Sequence, residues 1–257
     1  MLKTERMDRV RAALRAQGLT QMIVCDPKSV WYLTGVAVEP YERLLALYLP
    51  TEGEPVLFLN RLFNVPEPPC RTVWHTDTDK PVAQIAEVVD AGRPLGIDKE
   101  WPAKFLIPLM ETHPGMQVVL SSDCVDDCRA CKDAEEQTLM REASRINDAV
   151  NEAAKHYIKA GMTEREVAEF IDAQFRAHGC EGPSFTTIVS FGANAADPHH
   201  EPDDTVLKEG DCVLFDMGCV KSRYCSDMTR TWFCGQPTEK QAAVHDLVRR
   251  ANEAAEA

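Results

Sequence analysis

Apolar positions in the first 120 residues follow two alternating rhythms. Val10, Ala13 and Leu14 recur at helical spacing and stop near Gly18, which predicts an amphipathic helix. Met22–Cys25 is a short apolar run that ends at Asp26–Pro27, read as a strand running into a turn. Leu44–Leu49 and Val56–Leu59 predict two strands around a Glu52–Gly53 turn. Helices over 81–91 and 103–112 then alternate with strands over 95–97 and 116–120. This order predicts a mixed α/β domain over residues 1–124. The stretch 121–132 is polar and poor in apolar residues, so 125–132 reads as a connector.

The rhythm changes after the connector. Leu139, Ala143, Ile146, Val150, Ala153 and Tyr157 recur on one helical stripe, and Asp133 with Glu136 forms a capping pair ahead of them. Thr163 and Glu166 form a second capping box, and Val167, Phe170, Ile171 and Gln174 carry that helix to Gly179. Strand-like runs follow over 185–191, 212–219 and 225–234, and Thr238 with Gln241 opens a further capped helix. The sequence stops inside that pattern at Glu253–Ala257. A second domain therefore covers 133–257.

Composition narrows the classes. Of 257 residues, 44% are hydrophobic and 27% charged, enough for a folded core. No apolar run reaches the roughly 20 residues needed to span a bilayer, and the N-terminus lacks a signal-peptide stretch. A net charge of −13 disfavours nucleic acid and anionic membranes as partners but not a metal cation. The ten cysteines, without a secretory signal, are expected as free thiols in a cytoplasmic protein. Cys124, Cys128 and Cys131 have a spacing that iron–sulfur ligation uses. Their acidic context, with no cofactor pattern after it, favours unpaired thiols in the connector.

The chemistry concentrates on two aspartates. Alternation along Asp211–Gly218 places Asp216 on one face with Cys212 and Leu214, and Val213, Phe215 and Met217 on the other. A carboxylate on a strand that is apolar on both faces requires a positive partner. The polar Lys221–Ser222–Arg223 predicts a hairpin into 224–234. If it is symmetric about the Lys221–Ser222 bond, Asp216 and Asp227 oppose each other with Cβ atoms roughly 5 Å apart. Such a pair suits two divalent metals roughly 3.5–4 Å apart, bridged by a carboxylate. A surface hairpin with solvated aspartates, or an aspartate paired with Arg230, fits the same spacing.

Gly192–Pro202 reads as a loop, rich in Gly, Asn and Pro, that carries His199 and His200. At most one of these adjacent histidines is expected to serve a site, as a metal ligand or proton carrier. A solvent-exposed pair is the alternative. The other five histidines show no mutual spacing that suggests a site.

Several segments together resemble the pita-bread metallopeptidases: Xaa-Pro dipeptidase (prolidase), aminopeptidase P, creatinase and methionine aminopeptidase. Ser29–Gly35 is similar to a "YLTG" segment of their N-terminal domain. Arg129–Glu136 and Gly161–Glu166 are similar to the openings of the first and second catalytic-domain helices. The most specific matches are Pro198–His199, Phe215–Gly218 and Ser226–Arg230.

The resemblance implies a three-layer α/β N-terminal domain followed by the first half of a pita-bread catalytic domain. It implies that Asp216 chelates one metal and Asp227 bridges two, with Mn²⁺ favoured and Co²⁺, Fe²⁺ or Zn²⁺ able to substitute. It makes His199 the histidine that contacts substrate and assists proton transfer, and gives His200 no role. The implied activity is hydrolysis of the bond before proline in peptides with proline second, by a homodimer. The family also needs a histidine and two glutamates from a later half, and no matching motif follows within this sequence. The expectation is therefore one piece of a longer protein, inactive without that C-terminal segment. The alternatives are a metal-free peptide- or protein-binding module, and a creatinase-like hydrolase or a lyase on the same fold.

Overall fold

A computed structural model describes residues 2–256, so Ala257, the last residue of the final helical pattern, lies outside the described residues. The chain divides after Lys132 into two compact units.

The first unit contains, in chain order, α1 (Thr4–Ala16), β1 (Gln21–Val24), α2 (Pro27–Thr34), β2 (Ala46–Pro50), β3 (Val56–Asn60), β4 (Arg71–His75), α3 (Pro81–Ala86), β5 (Leu95–Ile97), α4 (Ala103–Thr112), β6 (Val118–Leu120) and α5 (Asp123–Ala130). Its strands form one six-stranded sheet in the order β4-β3-β2-β1-β5-β6. β1 runs antiparallel to β2 and parallel to β5. Strand alternation sends apolar side chains to both faces. Met22, Val24, Leu47, Leu49, Leu57 and Leu59 meet α1, α2 and α5 on one face. Ile23, Ala46, Tyr48, Val56 and Phe58 meet α3 and α4 on the other. The result is the three-layer α/β arrangement expected from the sequence.

Two features of this unit differ from expectation. Asp26–Pro27 starts a helix instead of closing a turn. The Asp26 carboxylate accepts from the backbone N–H groups of Lys28 and Ser29, Pro27 occupies the first turn, and Gly35 ends the helix in the left-handed region at φ 74°. The stretch expected as a connector over 125–132 is mostly helical, as the C-terminal part of α5. Cys124, Val125 and Cys128 face the core at helical spacing. Burial pushes the Cys124 thiol from its ordinary 9.0 up to about 11, with Asp123 adding to the shift. Cys124 and Cys128 are therefore core side chains of a helix, while Cys131 is exposed at its C-terminal end.

The second unit contains α6 (Ala134–Tyr157), α7 (Glu164–Ala177), β7 (Gly182–Pro183), β8 (Ile188–Phe191), β9 (Cys212–Met217), β10 (Cys219–Lys221), β11 (Tyr224–Cys225), β12 (Met228–Phe233) and α8 (Glu239–Glu256). Its sheets have the orders β12-β9-β8 and β11-β10-β7. Both capping boxes form as expected: Asp133 with Glu136 ahead of α6, and Thr163 with Glu166 ahead of α7. Val189, Phe191, Val213, Phe215 and Met217 pack with Val150 of α6 and Val167, Ile171 and Phe175 of α7. That closes one face of the β12-β9-β8 sheet. The other face carries Cys212, Leu214 and Asp216.

Candidate metal centre and its histidine loop

The hairpin sets where the aspartates stand. Ser222 and Arg223 both have positive φ (49° and 67°), and Lys221 pairs with Tyr224 across them. This two-residue loop, left-handed at both positions, matches the twist of the strands it joins. The centre of symmetry is therefore the Ser222–Arg223 bond, one residue beyond the expected one. Asp216 is paired with Thr229, not with Asp227, and on its other side with Ile188. The same register holds in β10–β11 and in β9–β12, so no residue is inserted between them. Asp227, two residues before Thr229, thus lies diagonally from Asp216 on the same face. The expectation of direct opposition is corrected, while the shared face survives because the shift in partner is an even number of residues.

Close backbone contact at the break between β9 and β10 fixes this geometry. Ser184 N–H donates to the Gly218 carbonyl (3.0 Å), and Ser184 Oγ donates to the Ser226 carbonyl (2.8 Å). A Cβ on residue 218 would overlap both the Ser226 carbonyl oxygen and Ser184 Oγ, so only glycine fits there. Asn147 of α6, almost fully buried, donates to the Met217 carbonyl (2.9 Å), next to Asp216.

Asp216 Oδ1 is buried and has no hydrogen-bond partner among the described residues. Asp227 is exposed and lines a cleft of about 1230 Å³ together with Cys212, Leu214, Thr229 and Thr231. Ser144 and Asn147 of α6 and Val244, His245 and Val248 of α8 complete its walls. The Arg230 guanidinium donates to the Thr229 carbonyl (2.9 Å) and to neither aspartate, so the aspartate–arginine alternative is not formed. An orphaned carboxylate oxygen beside a second carboxylate on one face fits a divalent cation, since an unpaired buried anion is costly.

His199 is exposed and does not line the cleft; its loop borders the cleft through Ala195. The His199 backbone N–H donates to Asp197 Oδ1 (2.9 Å). Its neighbour His200 turns inward. His200 Nε2 meets Glu164 Oε2 at 2.6 Å, and the Glu164 side chain is 0% exposed. Glu164 also accepts from Phe191 N–H (2.7 Å), Asn194 Nδ2 (3.0 Å) and Asp203 N–H (3.2 Å). A carboxylate can accept only, so His200 Nε2 carries the proton in this bond.

Glu164, His200 and Asp203 converge closely enough to hold a cation. Glu164, however, has its acceptor directions taken by protein donors, and Asp203 is held below the ordinary carboxylate range by the hydrogen bonds it accepts from Thr205. The cluster reads as a fastening of the loop. Local sequence pattern assigns no role to Glu164 or His200, because the groups that meet Glu164 lie 27 to 39 residues away.

Comparison with known proteins agrees with this architecture. The model for metallopeptidase family M24 matches residues 138–257, and that for the creatinase/prolidase N-terminal domain matches residues 6–131. The chain belongs to the pita-bread metallopeptidase family M24. An uncharacterized peptidase from Staphylococcus epidermidis is 30% identical over 246 residues, covering 94% of this chain and 70% of that protein. A crystal structure of recombinant prolidase from Thermococcus sibiricus superposes with a TM-score of 0.89 at 30% identity, over 99% of this chain and 72% of that one. The dipeptidase PepE structure from Mycobacterium ulcerans gives 0.89 at 30% identity, over 98% and 70%.

Proposed function

We propose that this chain is the larger part of a metal-dependent Xaa-Pro peptidase, with Asp216 and Asp227 as metal ligands and His199 as the proton-handling residue. The observation that carries this is the unpartnered, buried Asp216 Oδ1 on the face it shares with Asp227. A metallopeptidase family match and a prolidase-like structure support the same reading. Two carboxylates leave most coordination positions of two cations open. In this reading the remaining ligands come from a segment outside the present chain, which spans 70–72% of the two solved relatives. Homodimerisation belongs to the same reading, and ten unpaired thiols favour a reducing, cytoplasmic setting.

The substrate bond explains the need for such a site. An Xaa-Pro bond is a tertiary amide without an N–H, so it cannot be held by strand-type hydrogen bonding at that position. Bound at the two aspartates, divalent metal supplies Lewis-acid polarisation of the scissile carbonyl and activation of water. Oxygen-only ligation from these residues favours Mn²⁺, with Co²⁺, Fe²⁺ or Zn²⁺ as substitutes. The leaving proline nitrogen must gain a proton, and an imidazole on a loop at the cleft rim is suited to deliver it. Release of proline from Ala-Pro and from a longer Ala-Pro peptide by the full-length protein that carries that segment, with and without Mn²⁺, tests the reading. Mn²⁺-dependent release supports it. Release of alanine only from peptides lacking proline contradicts it.

A further inference from the structure

The loop 192–205 is fastened by far more polar contact than a surface loop requires, and the contacts converge on one buried carboxylate. Glu164 is the first residue of α7 after the Thr163 cap. The start of that helix is itself tied down. Glu164 N–H donates to the Thr205 carbonyl (3.2 Å), Arg165 N–H to the Asp203 carbonyl (3.2 Å), and Thr163 bridges to Val206. The Glu164 carboxylate is thus mounted on a rigid element. One oxygen gathers the start of the loop through Phe191 N–H and Asn194 Nδ2. The other gathers its end through His200 Nε2 and Asp203 N–H. Asn194 Nδ2 further donates to Thr205 Oγ1 (3.1 Å), closing the loop on itself. His199 sits between the two anchored ends.

We propose that Glu164 and His200 form a positioning pair that sets the direction of His199 for proton transfer. The claim rests on the assignment of His199 to the reaction. Pro198 and His199 occupy a turn closed by the His200 N–H donating to the Asp197 carbonyl (3.3 Å), so His199 stands at a turn position next to the anchored His200. Drawing His200 inward to Glu164 fixes one side of this turn, the bond from His199 N–H to Asp197 Oδ1 (2.9 Å) fixes the other, and His199 is left exposed between them. His200 acts here as an anchor. The burial of Glu164 among four donors makes the anchor stiff, since breaking any one strands a buried polar group. A displacement of about 1 Å in a reacting group can cost on the order of 10²-fold in rate.

The test is a double-mutant cycle in the metal-loaded, full-length enzyme that includes the further ligand-bearing segment. Glu164→Gln keeps the volume but replaces one acceptor oxygen with a donor that faces His200 and Asp203 N–H. It is expected to lower kcat on Ala-Pro by about 10- to 100-fold, with KM and Mn²⁺ affinity unchanged within about 2-fold. Amide hydrogen exchange at Phe191 and Asp203 should rise. In the His199→Ala background, Glu164→Gln should cost no further activity. If Glu164→Gln fails to fold, His200→Ala and His200→Gln serve instead. The glutamine, which keeps a donor, should recover more kcat than the alanine.

An equal loss from Glu164→Gln with and without His199 would overturn positioning and leave only a structural role. A parallel fall in Mn²⁺ affinity, or an unchanged kcat, would also overturn it. If His199→Ala retains full activity, the assignment of His199 fails and the positioning claim falls with it. Hydrogen exchange in that case still shows whether Glu164 fastens the loop.

Discussion

Asp216 stands directly across the β9–β12 ladder from Thr229, and this pairing places Asp227 one diagonal step away on the cleft face. The consequence is electrostatic. Asp216 Oδ1 is buried without a hydrogen-bond partner among the described residues, a placement that is costly for a carboxylate unless a cation neutralises it. Asp216→Asn should therefore raise the stability of metal-free protein by about 1 kcal/mol while removing the stabilisation that added Mn²⁺ gives the parent. Urea unfolding with and without Mn²⁺ measures both. A variant that is less stable without metal, yet still stabilised by Mn²⁺, would contradict this.

The turn that sets the pairing is open to test. Ser222 adopts φ 49° and Arg223 φ 67°, a conformation that asparagine and glycine tolerate best. Ser222→Asn should stabilise by a few tenths of a kcal/mol, because it lowers the left-handed strain. Ser222→Pro cannot reach positive φ and should cost about 3 kcal/mol or more. It should also weaken Mn²⁺ binding, because the register that aligns Asp227 with Asp216 begins at this turn. Chemical denaturation and metal titration of the two variants provide the comparison.

Legibility in the sequence followed the range of the interactions. Capping boxes and the two-residue alternation of β9 depend on neighbours within four residues, and Asp133, Thr163, Val213, Phe215 and Met217 behave as their local pattern requires. The hairpin centre lies one residue from its expected place because Lys221, Ser222 and Arg223 are all polar, and only backbone φ separates the two centres. Asp26–Pro27 is ambiguous in the same way, since a cap followed by proline starts helices and turns alike. Edge strand β4 carries no clear local signal, because Arg71–His75 sits among loops and pairs on one side only, with β3. Glu164 was overshadowed by Glu166, which forms the local capping box, and nothing near it in sequence announces its distant donors.

The thiols of α5 give a pH prediction. Cys124 titrates at about 11 in the fold against an ordinary 9.0, because burial and then Asp123 oppose the thiolate. A raised folded value means the contribution is fully present below 9.0 and is lost as pH rises through about 11. Stability should fall across that window, and Cys124→Ala should flatten the fall. Alkylation at neutral pH should mark the exposed Cys131 and Cys225 first and spare Cys124. Mass spectrometry after brief iodoacetamide treatment reads the order, and early modification of Cys124 would count against the packing described for α5.

The central claim is that Asp216 and Asp227 together hold divalent metal. Equilibrium Mn²⁺ binding, followed by electron paramagnetic resonance of free Mn²⁺, tests it most directly. Measured on the parent and on Asp227→Asn at equal protein concentration, it should show saturable binding in the parent. The variant should lose that binding, with the fold intact by circular dichroism, because Asp227 is one of the two carboxylates that would hold the cation. Undiminished Mn²⁺ binding in Asp227→Asn would contradict the account.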